Sequence, residues 1–268
     1  MDILLHTFSG VAIASVVANI APISAGKRAQ LFFFGALGGA LPDIDAISLW
    51  SKFDETIGAF FHLEHSGRDI YFNTFPYSHH GAMHSLLFPL LLILSVQLIR
   101  FGIQKVRKGK KHSFINRLRG RRWSIITFLM AYLLHIIEDM PTPGAAWGGV
   151  NLLWPSDIWI GGSGDIWWWN NYDLFLIVNS IIVINVLVLI ISTFTEALKK
   201  RIALGVFSFG VVLGIYQIKT RGFDFDYQGF APDYKTSEAK SKEIQREILG
   251  DTVFGWMEKL DQNIPFNF

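Results

Sequence analysis

Two short runs of this 268-residue sequence concentrate side chains able to bind a metal ion: Pro42-Asp43-Ile44-Asp45 and His79-His80-Gly81-Ala82-Met83-His84-Ser85. A third pair, His135 and Asp139, has the i, i+4 spacing that puts both on one helical face. His6 and Glu138 complete the inventory. The sequence contains no cysteine, so thiolate sites and disulfides are excluded and any ion must be held by imidazole or oxygen. Such donors suit Zn first, with Mn and Fe as alternatives. His6, Asp43, Asp45, His79, His80, His84, His135 and Asp139 are the candidate ligands. They exceed the four that one zinc ion takes, so either two ions are bound or some groups orient the others. A bound divalent ion lowers the pKa of water, which makes hydrolysis the natural reaction class, and Asp45 or Glu138 is the candidate general base.

Each element also has a plainer reading. Asp43 and Asp45 follow a proline and can cap a helix starting near Ala46. His135 and Asp139 can form an interhelical hydrogen-bonded pair, although ionisable residues at membrane depth are usually functional. His6 alone would read as a packed core histidine. Gly81 puts His79 and His80 in a turn, and helical i, i+4 spacing would prefer His80 as the partner of His84. His62-Leu63-Glu64-His65 has ligand-like spacing but is read as a decoy or an outer group.

The elements that must position these residues are membrane helices. The chain is 51% hydrophobic and only 17% charged, with mean hydropathy +0.34, against about 25% charged in soluble domains. The expected fold is an all-α polytopic bundle of about six transmembrane helices. Their cores are Ile3 to Ala21, Ala29 to Leu41, Ser85 to Phe101, Trp123 to Ile137, Tyr172 to Phe194 and Ile202 to Ile218. The first lacks a basic leader and a small-residue cleavage site, so it reads as a retained helix.

Charge orients the bundle, because Lys and Arg stay on the cytoplasmic side. Ten of the 24 basic residues lie between Arg100 and Arg122, and Lys199-Lys200-Arg201 and Lys27-Arg28 add five more. The stretch from Met140 to Asn171 has no Lys or Arg, and Pro42 to Met83 has only Lys52 and Arg68. The candidate ligands then fall together at the outer ends of the first four helices. Arg28 to Asp43 spans about 22 Å of helix rise and Trp123 to His135 about 18 Å, both short of a core of roughly 30 Å. The site is therefore expected to be recessed, facing outward from the cytoplasmic (inner) membrane.

At these residues the chain resembles the YdjM-type family of membrane-bound metal-dependent hydrolases, described as LexA-regulated in some members. The family pattern runs from an amino-terminal His through Leu-Pro-Asp-x-Asp, His-Arg-Gly-x-Thr-His-Ser and His-x-x-x-Asp to Thr-Pro and Leu-Leu-Trp-Pro. Here it corresponds to His6, Leu41-Pro42-Asp43-Ile44-Asp45, His79 to Ser85, His135 to Asp139, Thr142-Pro143 and Leu152-Leu153-Trp154-Pro155. The resemblance covers roughly residues 1 to 160 and implies a hydrolase whose ligands are these His and Asp residues. His80 stands where the pattern has Arg, and Met83 where it has Thr. On the pattern His79 is the equivalent ligand, so the choice between His79 and His80 stays open. The His-x-x-x-Asp element is also distantly similar to zinc-dependent phospholipases C.

A recessed, outward-facing site in a membrane bundle points to a lipid or lipid-linked phosphoester, with membrane lipids as the surrounding partners. The competing classes are a metal-ion or proton transporter, and a helical protein whose metal is structural. The basic stretch from Arg100 to Arg122 reads as an orientation signal touching anionic lipid, with no nucleic-acid partner implied. The chain divides into a metal-binding core (1–160), two further membrane helices (161–218) and an amphipathic tail (219–268). Within the tail, Ser237 to Gln262 is helix-like. Asn179 and Asn185 are expected to bond between helices, and Trp154, Trp159 and Trp167-Trp168-Trp169 to form a headgroup-level belt or a cover over the site. Oligomeric state is not encoded in these features.

Overall fold

The computed structural model describes residues 3–108, 113–142, 148–164, 166, 171–191, 193–220 and 234–263. Trp167-Trp168-Trp169 and Pro143 lie outside them. Among the described residues the chain is helical, and one isolated antiparallel bridge, Val150 to Ile160, closes the loop before the fifth long helix.

Helices α1 (Ile3–Ile20) and α2 (Ala25–Ala40) pack as an antiparallel pair, and glycine explains how closely. A side chain at Gly10 would strike the backbone of Gly35, and one at Gly39 would strike the carbonyl of His6. Small residues let helix backbones approach inside a membrane, where packing replaces the hydrophobic drive. Pro42 then ends α2, because its ring cannot continue the hydrogen-bond ladder. The chain turns by 51° into a 3-10 helix, Pro42–Leu49, that carries Asp43 and Asp45.

A hairpin-like excursion follows: a turn at Asp54–Gly58 leading into α3 (Ala59–Phe61), then α4 (Gly67–Phe72). Ser66 caps α4 by accepting from the Asp69 amide at 3.1 Å. Gly67 lies against the Ser48 carbonyl and the Phe53 ring, which seats α4 on the 3-10 helix. The turn through Phe75 to Gly81 delivers His79 and His80, and a second 3-10 turn, Ala82–His84, delivers His84 at the start of α5 (Leu87–Lys108).

Short α6 (Phe114–Gly120) leads to α7 (Arg122–Asp139), which packs on α1 and α2 and ends in His135 and Asp139. Helices α8 (Tyr172–Ile190) and α9 (Glu196–Thr220) pair with each other and with α1. Leu5 at the start of α1, Ile166, Leu174 and Ile218 share one apolar cluster, so the start of α1, the start of α8 and the end of α9 lie together. The basic runs Lys27-Arg28 and Lys199-Lys200-Arg201 lie at the other end, where Arg28 pairs with Glu196 at 3.8 Å and Trp123 packs with Ala21 and Leu31.

Four helices, α1, α5, α8 and α9, are long and apolar enough to cross a membrane, and five if α2 and its bent continuation count as one span. The expectation of about six is met to that extent. The remaining segment, α7, begins with Arg122 and ends with Glu138 and Asp139, so its 18 residues carry three charges. Of the two asparagines of α8, Asn185 joins a hydrogen bond between helices, as expected, and Asn179 does not. Asn179 donates to the Phe175 carbonyl of its own helix at 2.8 Å, and Asn185 receives the Asn19 amide of α1 at 2.9 Å through its backbone carbonyl.

The tail forms α10 (Tyr234–Asn263), broken at Gly250, whose φ of 72° is left-handed. Two arms therefore fold back on each other, bringing Lys242 within 3.5 Å of Asp261. They clasp Tyr172 at the start of α8: its backbone amide donates to Gln245, its hydroxyl donates to Asp261 at 2.5 Å, and its ring packs on Phe254.

Candidate metal centre

All eight candidate ligands converge at one end of α1, α2 and α7, and all eight side chains are buried. His6 enters from the first turns of α1, Asp43 and Asp45 from the 3-10 helix after α2, His79, His80 and His84 from the turns before α5, and His135 and Asp139 from the last turn of α7. The helix-capping reading of Asp43 and Asp45 fails here: neither caps a helix by its side chain, and both face histidines.

Four of these residues form the tightest group: Asp43, His84, His135 and Asp139. His135 Nε2 lies 3.1 Å from Asp139 Oδ2, 3.2 Å from His84 Nε2 and 3.4 Å from Asp43 Oδ1. His84 Nε2 lies 3.5 Å from both Asp43 Oδ1 and Asp139 Oδ2. A tetrahedral ion with bonds of about 2.0–2.1 Å spaces its donors about 3.3–3.4 Å apart. These five edges bracket that value. Two carboxylates and two imidazoles packed this closely out of water are costly without a cation among them, so the donor set fits a divalent metal in number, chemistry and spacing.

The surrounding groups hold four of the rings through Nδ1. His135 Nδ1 donates to the Gly39 carbonyl at 2.6 Å, and His80 Nδ1 to the Gly149 carbonyl at 3.1 Å. A carbonyl only accepts, so Nδ1 carries the proton and Nε2 keeps its lone pair. His6 Nδ1 meets Glu138 Oε2 at 2.8 Å, and His79 Nδ1 meets Asp45 Oδ1 at 2.7 Å. Metal-binding histidines are characteristically oriented by such carboxylates and carbonyls. Glu138 and Asp45, the two expected general bases, are thus both engaged with a histidine.

Electrostatics separates the loop histidines. Burial lowers the affinity of His80 for a proton well below the ordinary value, reinforced by His79 and His84. Burial likewise lowers that of His84, against the pull of Asp43 and Asp45. For His79 burial acts in the same direction, but the Asp45, Asp43 and Asp139 carboxylates together outweigh it and the net shift is upward. Burial thus favours the neutral, ligating form of His80 and His84, whereas the neighbouring carboxylates favour the protonated form of His79.

Several neighbours carried no evident sequence signal. Tyr71 of α4 stacks on His79 with ring centroids 4.5 Å apart, and the Tyr132 hydroxyl donates to the Met83 carbonyl. Gly39 and Gly149 act through their backbone oxygens. The spacing Gly35-x-x-x-Gly39 is the one hint that was legible, since it marks a close helix contact. His62 and His65 stay outside the cluster, exposed, with His65 stacked on Phe75. Lys52 and Arg68 are exposed as well, the Arg68 guanidinium lying 5.5 Å above the Phe72 ring.

The model of the YdjM inner membrane protein family matches residues 1–222. The chain belongs to the YdjM family. Comparison with curated proteins and with solved structures finds no match. The YdjM match continues past the core expected at 1–160, taking in α8 and α9 and ending just after Thr220, so α10 lies beyond it. Every buried donor of the centre falls inside the YdjM region, and the family's inner-membrane character accords with the four to five candidate spans.

Proposed function

We propose that this YdjM-family protein is a membrane-bound metal-dependent hydrolase acting on a lipid or lipid-linked phosphoester at the outer face of the inner membrane. The observation that carries the reading is the buried convergence of more His and Asp donors than one tetrahedral ion can use, at the bundle end opposite the basic runs Lys27-Arg28 and Lys199-Lys200-Arg201. Retention of basic loops in the cytoplasm sets that end outward. Counting α2 and α7 as crossings gives six, with α7 burying its charged end against the site. Zn is the ion that best suits two imidazoles and two carboxylates at these spacings.

A divalent ion at this centre supplies positive charge to polarise a phosphoester and to acidify water. The chain's own residues do the rest. Asp43 and Asp139 bring negative charge to the donor set, while Glu138 and the Gly39 carbonyl fix His6 and His135. Asp45 keeps Oδ1 on His79, and its buried Oδ2 has no hydrogen bond among the described residues. That oxygen is positioned to take a proton, which makes Asp45 a better general base than Glu138. The segment that follows Asp43 exposes Ile44, Ile47, Trp50, Phe60 and Phe61, with Phe60 at 76%. An apolar, aromatic surface beside a metal centre suits a substrate held at the headgroup boundary.

Metal analysis of the purified protein tests the centre: His84→Ala and Asp139→Ala should each lose bound zinc, and retention in both would sink it. Hydrolysis of lipid phosphoesters in nanodiscs should stop with chelator and return with zinc. One observation favours a second reading, a structural ion tying α2 to α7, because four protein donors fill a tetrahedron. Zinc retained without turnover on any lipid phosphoester would favour it, and ion flux without turnover would favour a transporter.

A further inference from the structure

We infer that the centre holds a second divalent ion, bound by His79, His80 and His84, and that His80 creates this site in the present chain. The inference rests on the metal-centre reading above. These three imidazoles form a donor group of their own, distinct from the four-donor group except for His84. Their ring centroids are 4.3 Å (His79 to His80), 4.7 Å (His80 to His84) and 5.1 Å (His79 to His84) apart.

Three features show a built site. First, His80 adopts φ of 63°, a left-handed conformation that is strained for a non-glycine residue. The surroundings enforce it: the His80 carbonyl accepts from the Asn151 amide at 2.8 Å while its Nδ1 donates to Gly149. Both anchors come from the loop after α7, so that loop aims the His80 ring. Second, Asp45 holds His79 by Nδ1 in the same manner. Third, His84 Nε2 faces Asp43, His135 and Asp139, while its buried Nδ1 has no hydrogen bond among the described residues, with Asp45 Oδ2 3.6 Å away.

His84 therefore presents one nitrogen to each group, and serving both ions requires its ring N–H proton to leave for solvent. Three imidazole ligands leave a coordination position open, unlike the filled four-donor group.

The test is a metal count on the full chain in detergent, stripped with chelator and titrated with Co²⁺ or Zn²⁺. Wild type should bind two equivalents in two spectroscopic steps. His80→Asn tolerates a left-handed backbone and can still donate to Gly149. It should weaken the second equivalent at least 100-fold and change the first less than threefold, and His80→Arg should abolish the second. One equivalent in wild type, or two in both variants, overturns the inference while leaving the four-donor centre standing. No bound metal in wild type overturns both. Should the variants fail to fold, X-ray absorption of wild type loaded with one and then two zinc equivalents decides. An added shell of imidazole nitrogen supports the site, and a shell of oxygen alone refutes it.

Discussion

Helices α1 and α5 are equally apolar, with mean hydropathy 1.8 over their spanning windows, yet 67% of the first window is buried within the protein and 11% of the second. Helix α1 meets α2, α7, α8 and α9. Helix α5 shows Leu90, Leu94, Leu98 and Ile99 to the outside. The difference lies in the small residues. Gly10, Gly35 and Gly39 let α1 and α2 touch backbone to backbone, and this contact brings the Gly39 carbonyl and His6 to His135. In α5, Leu, Ile and Val sit where a lipid-facing helix needs bulk. Helices α1 and α2 wall the centre, whereas α5 leaves its apolar side chains exposed.

That contrast can be broken at its tightest point. Gly39→Val should cost about 3 kcal/mol, since overpacking a close helix contact forces the backbones apart. Zinc content and the thermal midpoint in detergent should fall together, and a variant matching wild type in both would show that this contact does not hold the centre. Next in size, Glu138→Gln should weaken zinc binding about 10–100-fold, the usual effect of losing a carboxylate that orients a ligand. Competition with a chromophoric chelator measures it, and unchanged affinity would mean that His6 is not oriented through Glu138.

At the tail, Tyr172→Phe removes the hydroxyl that donates to Asp261 and should loosen α10 by about 1 kcal/mol. Faster proteolysis of α10 with unchanged zinc content is expected, whereas loss of zinc would tie the tail to the centre. The smallest effect belongs to the lipid-facing side: Leu98→Ala should stay within about 0.5 kcal/mol and leave zinc untouched. A large loss there would show that α5 packs on protein.

The helices were readable because about 20 apolar residues are needed to cross a bilayer, and all six expected cores fall on observed helices. The candidate donors were readable too, since ionisable groups at helix ends are few in so apolar a chain. The count of crossings was less so: α7 looks like the other cores in hydropathy but carries Arg122, Glu138 and Asp139 at its ends. His80 and Asp45 show the harder limit. Spacing left His79 and His80 equivalent, whereas the loop at Gly149 and Asn151 orients one and Asp45 the other. Those partners lie 34 or more residues away, beyond anything local periodicity encodes.

By itself the sequence determined the apolar segments, the segregation of the basic loops and which side chains can carry metal chemistry, because each follows from composition over a single helix length. The tertiary structure alone decided which four donors lie close enough together to hold one ion, and which carbonyls and carboxylates meet the Nδ1 atoms of His6, His79, His80 and His135. Those outcomes depend on contacts of 2.6 to 3.5 Å between α1, the 3-10 helix after α2, the turns before α5 and the end of α7. Distances that short are set by how closely glycine lets the backbones pack, and only the assembled helices fix them.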